Sequence, residues 1–212
     1  MITSRAHGFL LSGILLAAIA LCGATLAADA PSQARQELER TIHDILVELQ
    51  KPELKNPATK KNVLSRVEGI IDRLFSFEEL SSRTVGVKWD SFSPDQKKRF
   101  IAEFTTLLRE SYLEKLDGYN GETVNYVGET RNTNGDKVEI STSVVVKGKK
   151  VSVAYRMLQK SRWIVYDVII EGVSMVQNYR SQFQQALLAG DVEKFIEHVR
   201  GTAEKARAYN KK

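Results

Sequence analysis

The chain has 212 residues, of which 42% are hydrophobic and 27% are charged. This length suits one domain with its own core, and the composition excludes both a disordered chain and a membrane protein with many spans. The net charge of +5 is mildly basic, but no cluster of lysine, arginine and aromatic residues indicates nucleic-acid binding.

The first 27 residues have the pattern of a secretory signal peptide. Arg5 supplies the positive start, an apolar run covers 9–21, and Thr25 and Ala27 are the small residues that a signal peptidase reads. Because the run is too short to span a membrane comfortably, we expect cleavage after Ala27 rather than a retained anchor. Cys22 is the only cysteine and lies in this segment, so the mature chain is expected to have no disulfide and no thiol nucleophile.

Helical patterns come first in the mature chain. Apolar residues at helical spacing predict a helix over 33–50, which Pro52 ends. Asn56-Pro57 is an N-cap followed by proline at the first helical position, so a second helix is expected to continue to residue 74. A short helix is expected near 78–84, and 85–89 is expected to be a break.

The clearest helix start is Ser93-Pro94-Asp95-Gln96. Serine can cap the helix, proline presets its first turn, and Gln96 can complete a capping box. The helix is expected to run to about Asp117 and to stop at Gly118.

Four strands are predicted near 123–130, 137–146, 150–158 and 162–170. Asn134-Gly135 is a strong hairpin signal between the first two strands. The other two connections are also short, and consecutive short turns imply an antiparallel meander. The fourth strand is expected to be central and covered on both sides, because Tyr166 and Val168 lie on one predicted face and Val165 lies on the other.

Helical spacing returns after Gly172. One helix is predicted to end at Gly190, and Asp191 can cap a last helix that is followed by a basic tail from Lys205. The predicted class is therefore α+β, with one antiparallel four-stranded meander sheet and helices packed on it.

Residues suited to catalysis are few. His43 and His198 stand alone, without the spacing of a metal site. Asp167 and Glu171 are four residues apart on a predicted strand and could do acid–base work. Because no third catalytic group is identifiable by spacing, we favour a buried acid that binds a helix start and pairs with Arg156.

The apolar faces of the strands and helices have two interpretations. They can form a filled core, or they can line a cavity between the sheet and the helices. Periodicity does not separate these interpretations, so the decision depends on resemblance.

Two stretches resemble the MlaC (toluene-tolerance) family of periplasmic phospholipid-binding proteins, which are auxiliary components of ABC transport systems. The first is the pattern W-x-x-Y-D-x-x-x-E-G-V-S-M from Trp163 to Met175. The second is the segment 75–112, which contains Trp89, Ser93-Pro94 and the helix that follows. The similarity covers roughly residues 33–202.

This resemblance implies an NTF2-like, cone-shaped α+β fold, with N- and C-terminal helices around an apolar lipid cavity. The implied domains are a signal peptide at 1–27, a lipid-binding domain at 28–204 and a flexible basic tail at 205–212. The implied protein is a periplasmic carrier and not an enzyme. Its cargo would be phospholipid, and no cofactor or metal is implied.

The implied partners are the acyl chains of the cargo, an outer-membrane lipoprotein–porin complex, and the MCE-domain protein of an inner-membrane ABC transporter. The implied role is to shuttle phospholipid between these complexes, with transient contact to membrane surfaces, and to maintain outer-membrane lipid asymmetry. An NTF2-like periplasmic enzyme and a hopanoid-associated or adaptor protein remain the alternatives.

Alternation along the strands and the apolar faces of the helices give the expected lining of the cavity. We expect its volume to lie near or above the upper end of the usual range of about 300–1,000 Å³. The candidate lipid-binding residues are Phe104, Leu108, Tyr112, Val144, Val153, Tyr155, Met157, Tyr166, Val168, Tyr179 and Phe183.

Overall fold

The computed structural model describes residues 32–112, Leu116, 119–146 and 148–210. The expected signal peptide with Cys22, and the expected helix end at 117–118, lie outside these residues. None of the helices in the described ranges is both long and apolar enough to cross a membrane.

The first two helices form a packed pair, α1 (Gln33–Leu49) and α2 (Pro57–Leu74), joined by a 3₁₀ helix at Pro52–Lys55. The Asn56 side chain caps α2 by accepting the Ala58 N–H at 3.0 Å. Proline therefore stands at the first helical position, as the sequence predicted.

Two further helices follow, α3 (Phe77–Val85) and α4 (Pro94–Tyr112). The predicted break between them is a 3₁₀ helix at Gly86–Ser91. The capping box before α4 is confirmed, because Gln96 Oε1 accepts the Ser93 N–H at 2.9 Å and Ser93 Oγ accepts the Gln96 N–H at 3.2 Å.

The sheet has five antiparallel strands in chain order, β1 (Val124–Arg131), β2 (Lys137–Val146), β3 (Lys149–Gln159), β4 (Trp163–Ile170) and β5 (Val173–Ser174). The meander is confirmed, but the expected number of four strands is wrong. Glu171 and Gly172 both have positive φ, 49° and 79°, and this two-residue turn folds β5 back onto β4. β4 is therefore next to the sheet edge rather than central.

A bulge in β4 reverses its alternation. Arg156 of β3 pairs with Asp167 of β4, whereas the next residue, Met157, pairs with Val165. Tyr166 therefore has no partner on β3 and is the extra residue of the bulge. Beyond such a bulge the side chains change face. Val165 therefore shares a face with Val168, contrary to the alternation expected from the sequence.

The last helices are α5 (Met175–Leu188) and α6 (Val192–Asn210). The expected tail at 205–212 overlaps α6, which stays helical to Asn210. The Asn210 side chain donates to the Glu110 carbonyl at 2.6 Å, and Arg207 pairs with the Glu110 carboxylate at 2.7 Å.

Two larger cores and one small core hold these elements. Helices α3–α6 enclose stacked and edge-to-face phenylalanines, with the Phe100 and Phe195 ring centroids 5.2 Å apart. Under the first turns of α1, one sheet face packs Met157 and Val165 against Leu38. A small third cluster joins α1 and α2 around Val63 and Val67. A cavity lies among these three cores.

Candidate functional site

An apolar cavity of about 470 Å³ lies between the sheet and the helices. The volume falls within the usual range for ligand sites but below the upper end that we expected. Residues from Leu38 to Leu49 of α1 border it, which at 1.5 Å per residue corresponds to a length of about 16 Å. The other walls are formed by α2, the start of α3, the end of α4 and one sheet face.

Aliphatic and aromatic side chains make up most of the lining. Those from the helices, from the α2–α3 connection and from position 116 are Leu38, Ile42, Ile45, Leu46, Leu49, Ile71, Leu74, Phe75, Phe77, Leu80, Leu108, Tyr112, Leu116 and Met175. Those from the sheet are Val124, Val144, Val146, Val153, Tyr155, Val168 and Ile170.

The helices α2 and α4 do not pack closely against each other. Charged side chains connect them instead. Arg109 of α4 donates to both Asp72 carboxylate oxygens at 2.9 Å, and its guanidinium lies 3.6 Å from Glu68. All three side chains border the cavity and are about one-third to one-half exposed. These charged groups thus stand at the rim of a mostly apolar space.

A second polar group of residues borders the cavity near the ends of α1 and β2. Tyr119 Oη accepts from Gln50 at 3.4 Å and donates to the Glu122 carbonyl at 3.3 Å. Val146 lines the cavity beside them and is 39% exposed. At the other end Leu74 and Val168 are buried. The polar groups and Val146 therefore mark one exposed border of the cavity, and buried apolar side chains form part of its interior wall.

The pKa of Tyr155 reflects the low polarity of the cavity wall that the sheet forms. Burial raises the pKa of its phenol to about 12. Tyr126 of β1 lies on the same face of the sheet as Tyr155. Burial, and to a smaller extent the nearby charge of Glu39, also raises the pKa of the Tyr126 phenol above its usual range. Both side chains are therefore neutral across the physiological pH range.

Six of the eleven candidate lipid-binding residues line the cavity: Leu108, Tyr112, Val144, Val153, Tyr155 and Val168. They come from α4 and from three adjacent strands. The structure thus brings these six together around one space, and their contact with lipid stays a prediction.

The other five candidates do not line the cavity. Phe104, Tyr179 and Phe183 belong to the helical core, where their rings pack against each other at centroid distances of 5.0 to 5.7 Å. Met157 is on the cavity face of the sheet, but the first turns of α1 cover it and it is fully buried. The β4 bulge turns Tyr166 away, and its ring lies 4.2 Å from the Arg83 guanidinium carbon.

The candidate residues omit the wall that α1 and α2 provide. Ile42, Ile45 and Leu46 of α1 and Ile71 of α2 line the cavity. The signal for them was the helical spacing of apolar residues in both segments. That spacing identifies a buried face but does not say whether the face meets side chains or empty space.

Asp167 has a structural role, as the sequence predicted. Its carboxylate is 3% exposed and accepts the Ser174 hydroxyl at 2.6 Å and the Val176 N–H at 3.0 Å, both at the start of α5. Arg156 donates to the same carboxylate at 3.3 Å. Asp167 therefore fixes α5 to the sheet.

Glu171 lies in the β4–β5 turn and accepts the Ser152 N–H. Neither Glu171 nor Asp167 borders the cavity, so the pair lacks the shared site that acid–base catalysis needs. Within the described ranges, no three histidine, cysteine or acidic side chains are grouped to hold a metal ion.

The pattern that describes the MlaC protein family matches residues 39–201. This chain belongs to the MlaC family. The match covers nearly all of the α+β structure, so the family expected from the Trp163–Met175 pattern is confirmed.

Two relatives and one solved structure are similar to this MlaC-family chain. The toluene tolerance protein ttg2D of Pseudomonas putida is 26% identical over 203 residues, which are 92% of this chain and 90% of that protein. The intermembrane phospholipid transport system binding protein MlaC of Haemophilus influenzae is 23% identical over 108 residues, 49% of this chain and half of that protein.

The solved structure is that of a phospholipid-binding protein from Ralstonia solanacearum in complex with a phospholipid. It superposes with a TM-score of 0.72 at 20% identity, covering 82% of this chain and 99% of that one. At this identity the likeness shows the fold, and it confirms the α+β class.

Proposed function

We propose that this protein carries phospholipid, with the acyl tails inside the cavity and the headgroup at its polar border. The observation that carries the proposal is the apolar cavity of about 470 Å³ in a chain of the MlaC family. Two of the similar proteins are described as phospholipid-binding or phospholipid-transporting, which supports the same cargo.

Hydrocarbon transfer explains why such a carrier needs an enclosed space. Each exposed methylene costs about 0.8 kcal/mol, so a tail of about 16 carbons would cost on the order of 12 kcal/mol in water. A buried charged headgroup would lose its hydration, which is also costly. The lining matches both requirements, because its charged side chains are confined to the rim.

The proposed setting is the periplasm. The signal-peptide pattern at 1–27 supports export, and the family supports exchange with an outer-membrane lipoprotein–porin complex and an inner-membrane MCE-domain ABC transporter. In this role the protein shuttles phospholipid without chemistry and helps to maintain outer-membrane lipid asymmetry. The structural role of Asp167 weakens the rival enzyme interpretation.

The test is to purify the mature protein, extract it with organic solvent and identify lipids by mass spectrometry. We expect co-purified phospholipid at a fixed ratio to protein, and uptake of labelled phospholipid by lipid-free protein from vesicles. A protein that contains no phospholipid and takes none from vesicles would overturn the proposal.

A further inference from the structure

The closed end of the β2–β3 hairpin projects beyond the rest of the sheet. Pairing with β1 stops at Val144, and pairing with β4 stops at Val153. The last two pairs of the hairpin therefore have no neighbouring strand on either side. At about 3.4 Å per residue, they extend roughly 7 Å past the end of β1.

Each face of this projecting end carries one valine and one lysine. Val146 is opposite Lys149 on the cavity face, and Val145 is opposite Lys150 on the other face. The valines are 39% and 46% exposed, and both lysines are exposed. Neither lysine has a carboxylate partner among the described residues.

We propose that this hairpin end docks onto a bilayer that contains anionic phospholipid; the inference rests on the proposed carrier function. The two valines enter the boundary between headgroups and acyl chains, and Lys149 and Lys150 bind the headgroups. Apolar side chains of interfacial elements are buried only about 5–10 Å into this boundary, so shallow insertion of the hairpin end is sufficient. Lysine suits the headgroup level, because its stem lies along apolar surface while its ammonium stays in water.

Val146 connects the docking surface to the cargo site, because it lines the cavity and is also exposed at the hairpin end. A tail that leaves the bilayer along this side chain keeps apolar contact until it reaches the cavity. The route reduces the length of hydrocarbon exposed to water during exchange, and each methylene so protected is worth about 0.8 kcal/mol.

A bilayer fits this end better than a protein partner does. A stable protein interface buries about 800 Å² on each side, and the two valines supply only a small part of that area. Insertion into a bilayer needs no complementary shape, and the two lysines match negatively charged headgroups at about 1 kcal/mol each.

The test compares two double variants of the full mature protein. The hairpin variant is Val145→Ser with Lys150→Gln, which leaves the cavity lining unchanged. The control is Val87→Ser with Lys88→Gln, an exposed valine–lysine pair that does not border the cavity. Binding to vesicles of phosphatidylcholine, with and without phosphatidylglycerol, is measured by co-sedimentation at low and high salt.

We expect the hairpin variant to bind the phosphatidylglycerol vesicles about ten-fold more weakly, since it loses one lysine and one inserted valine. The control should bind like the unmodified protein, and high salt should weaken the binding of both. Equal binding by all three proteins, or an equal loss in both variants, would overturn the docking surface. Loss of exchange with a protein acceptor while vesicle binding is unchanged would likewise overturn it and assign the hairpin to a protein interface.

Lipid content keeps this test separate from that of the carrier function. If the unmodified protein carries phospholipid but its vesicle binding does not depend on the hairpin, only the docking inference fails. If the unmodified protein neither contains nor takes up phospholipid, the carrier function itself fails.

Discussion

Filling the cavity from the sheet side should abolish lipid carriage without unfolding the protein. Val153 lies on β3 between Thr142 of β2 and Ile170 of β4, and it lines the cavity. In Val153→Trp the indole would project into the space of about 470 Å³. If it displaces about five methylene groups at about 0.8 kcal/mol each, phospholipid binding weakens by about 4 kcal/mol, or roughly a thousand-fold.

The assay is the molar ratio of phospholipid to protein after incubation with vesicles and reisolation. Val127→Trp is the matched control, because Val127 is 61% exposed on β1 and does not line the cavity. Both variants should show a cooperative thermal unfolding transition, while Val153→Trp carries little phospholipid and the control carries the normal amount. A folded Val153→Trp protein that keeps a normal phospholipid ratio would refute the assignment of this cavity as the cargo site.

Three other predictions follow from ion pairs and hydrogen bonds. Arg109→Gln should speed phospholipid release several-fold in a stopped-flow assay, because it removes the ion pairs that connect α4 to α2. The control Arg99→Gln removes an exposed ion pair away from the cavity and should leave the release rate unchanged. Equal release rates in the two variants would contradict the role of Arg109. Asp167→Ala should lower the free energy of unfolding by about 3 kcal/mol in urea, since it leaves two buried donors unpaired; a loss below about 1 kcal/mol would be inconsistent with this. The Arg99 hydrogen bond lowers the pKa of Glu193 from 4.5 to about 2, so its stabilisation is complete above pH 4.5 and is lost as the pH falls toward 2. Glu193→Gln should reduce the pH dependence of the free energy of unfolding between pH 4.5 and about 2. An unchanged pH dependence would contradict a stabilising role for the Glu193 carboxylate.

Local signals in the sequence predicted most of the secondary structure. The Ser93–Gln96 capping box and the Asn56-Pro57 start determine where two helices begin, and both depend on residues within one turn. The short turns between strands likewise predicted an antiparallel meander. These features could be predicted because the interacting groups are neighbours in the chain.

Features that depend on tertiary pairing could not be predicted in this way. The β4 bulge leaves no mark in the alternation of apolar residues, because β4 is apolar on both faces, and Tyr166 was therefore assigned to the wrong face. β5 has two residues and exists only through its pairing with β4. A strand of that length has no periodicity to detect.

The candidate site was predicted in part for a related reason. The sheet positions were placed well where pairing stays regular, at Val144, Val153 and Tyr155. Phe104 and Phe183 were misplaced because a helical face shows that a side chain is buried but not which element covers it. Here α6 packs against α4 and α5 and covers them, so they lie in the helical core rather than at the cavity.

The position of the cavity among separate cores bears on how it can open. The phenylalanine core holds α4, α5 and α6 together, and a different cluster around Val63 and Val67 holds α1 to α2. α2 and α4 meet through the charged side chains of Arg109, Asp72 and Glu68 rather than through close packing, so their separation disrupts mainly these ion pairs. Exposed ion pairs of this kind contribute about 0–1 kcal/mol each, which is far less than the cost of disrupting a packed core. We therefore expect that widening of this gap gives a bulky apolar cargo room to move, whichever border of the cavity its tails cross.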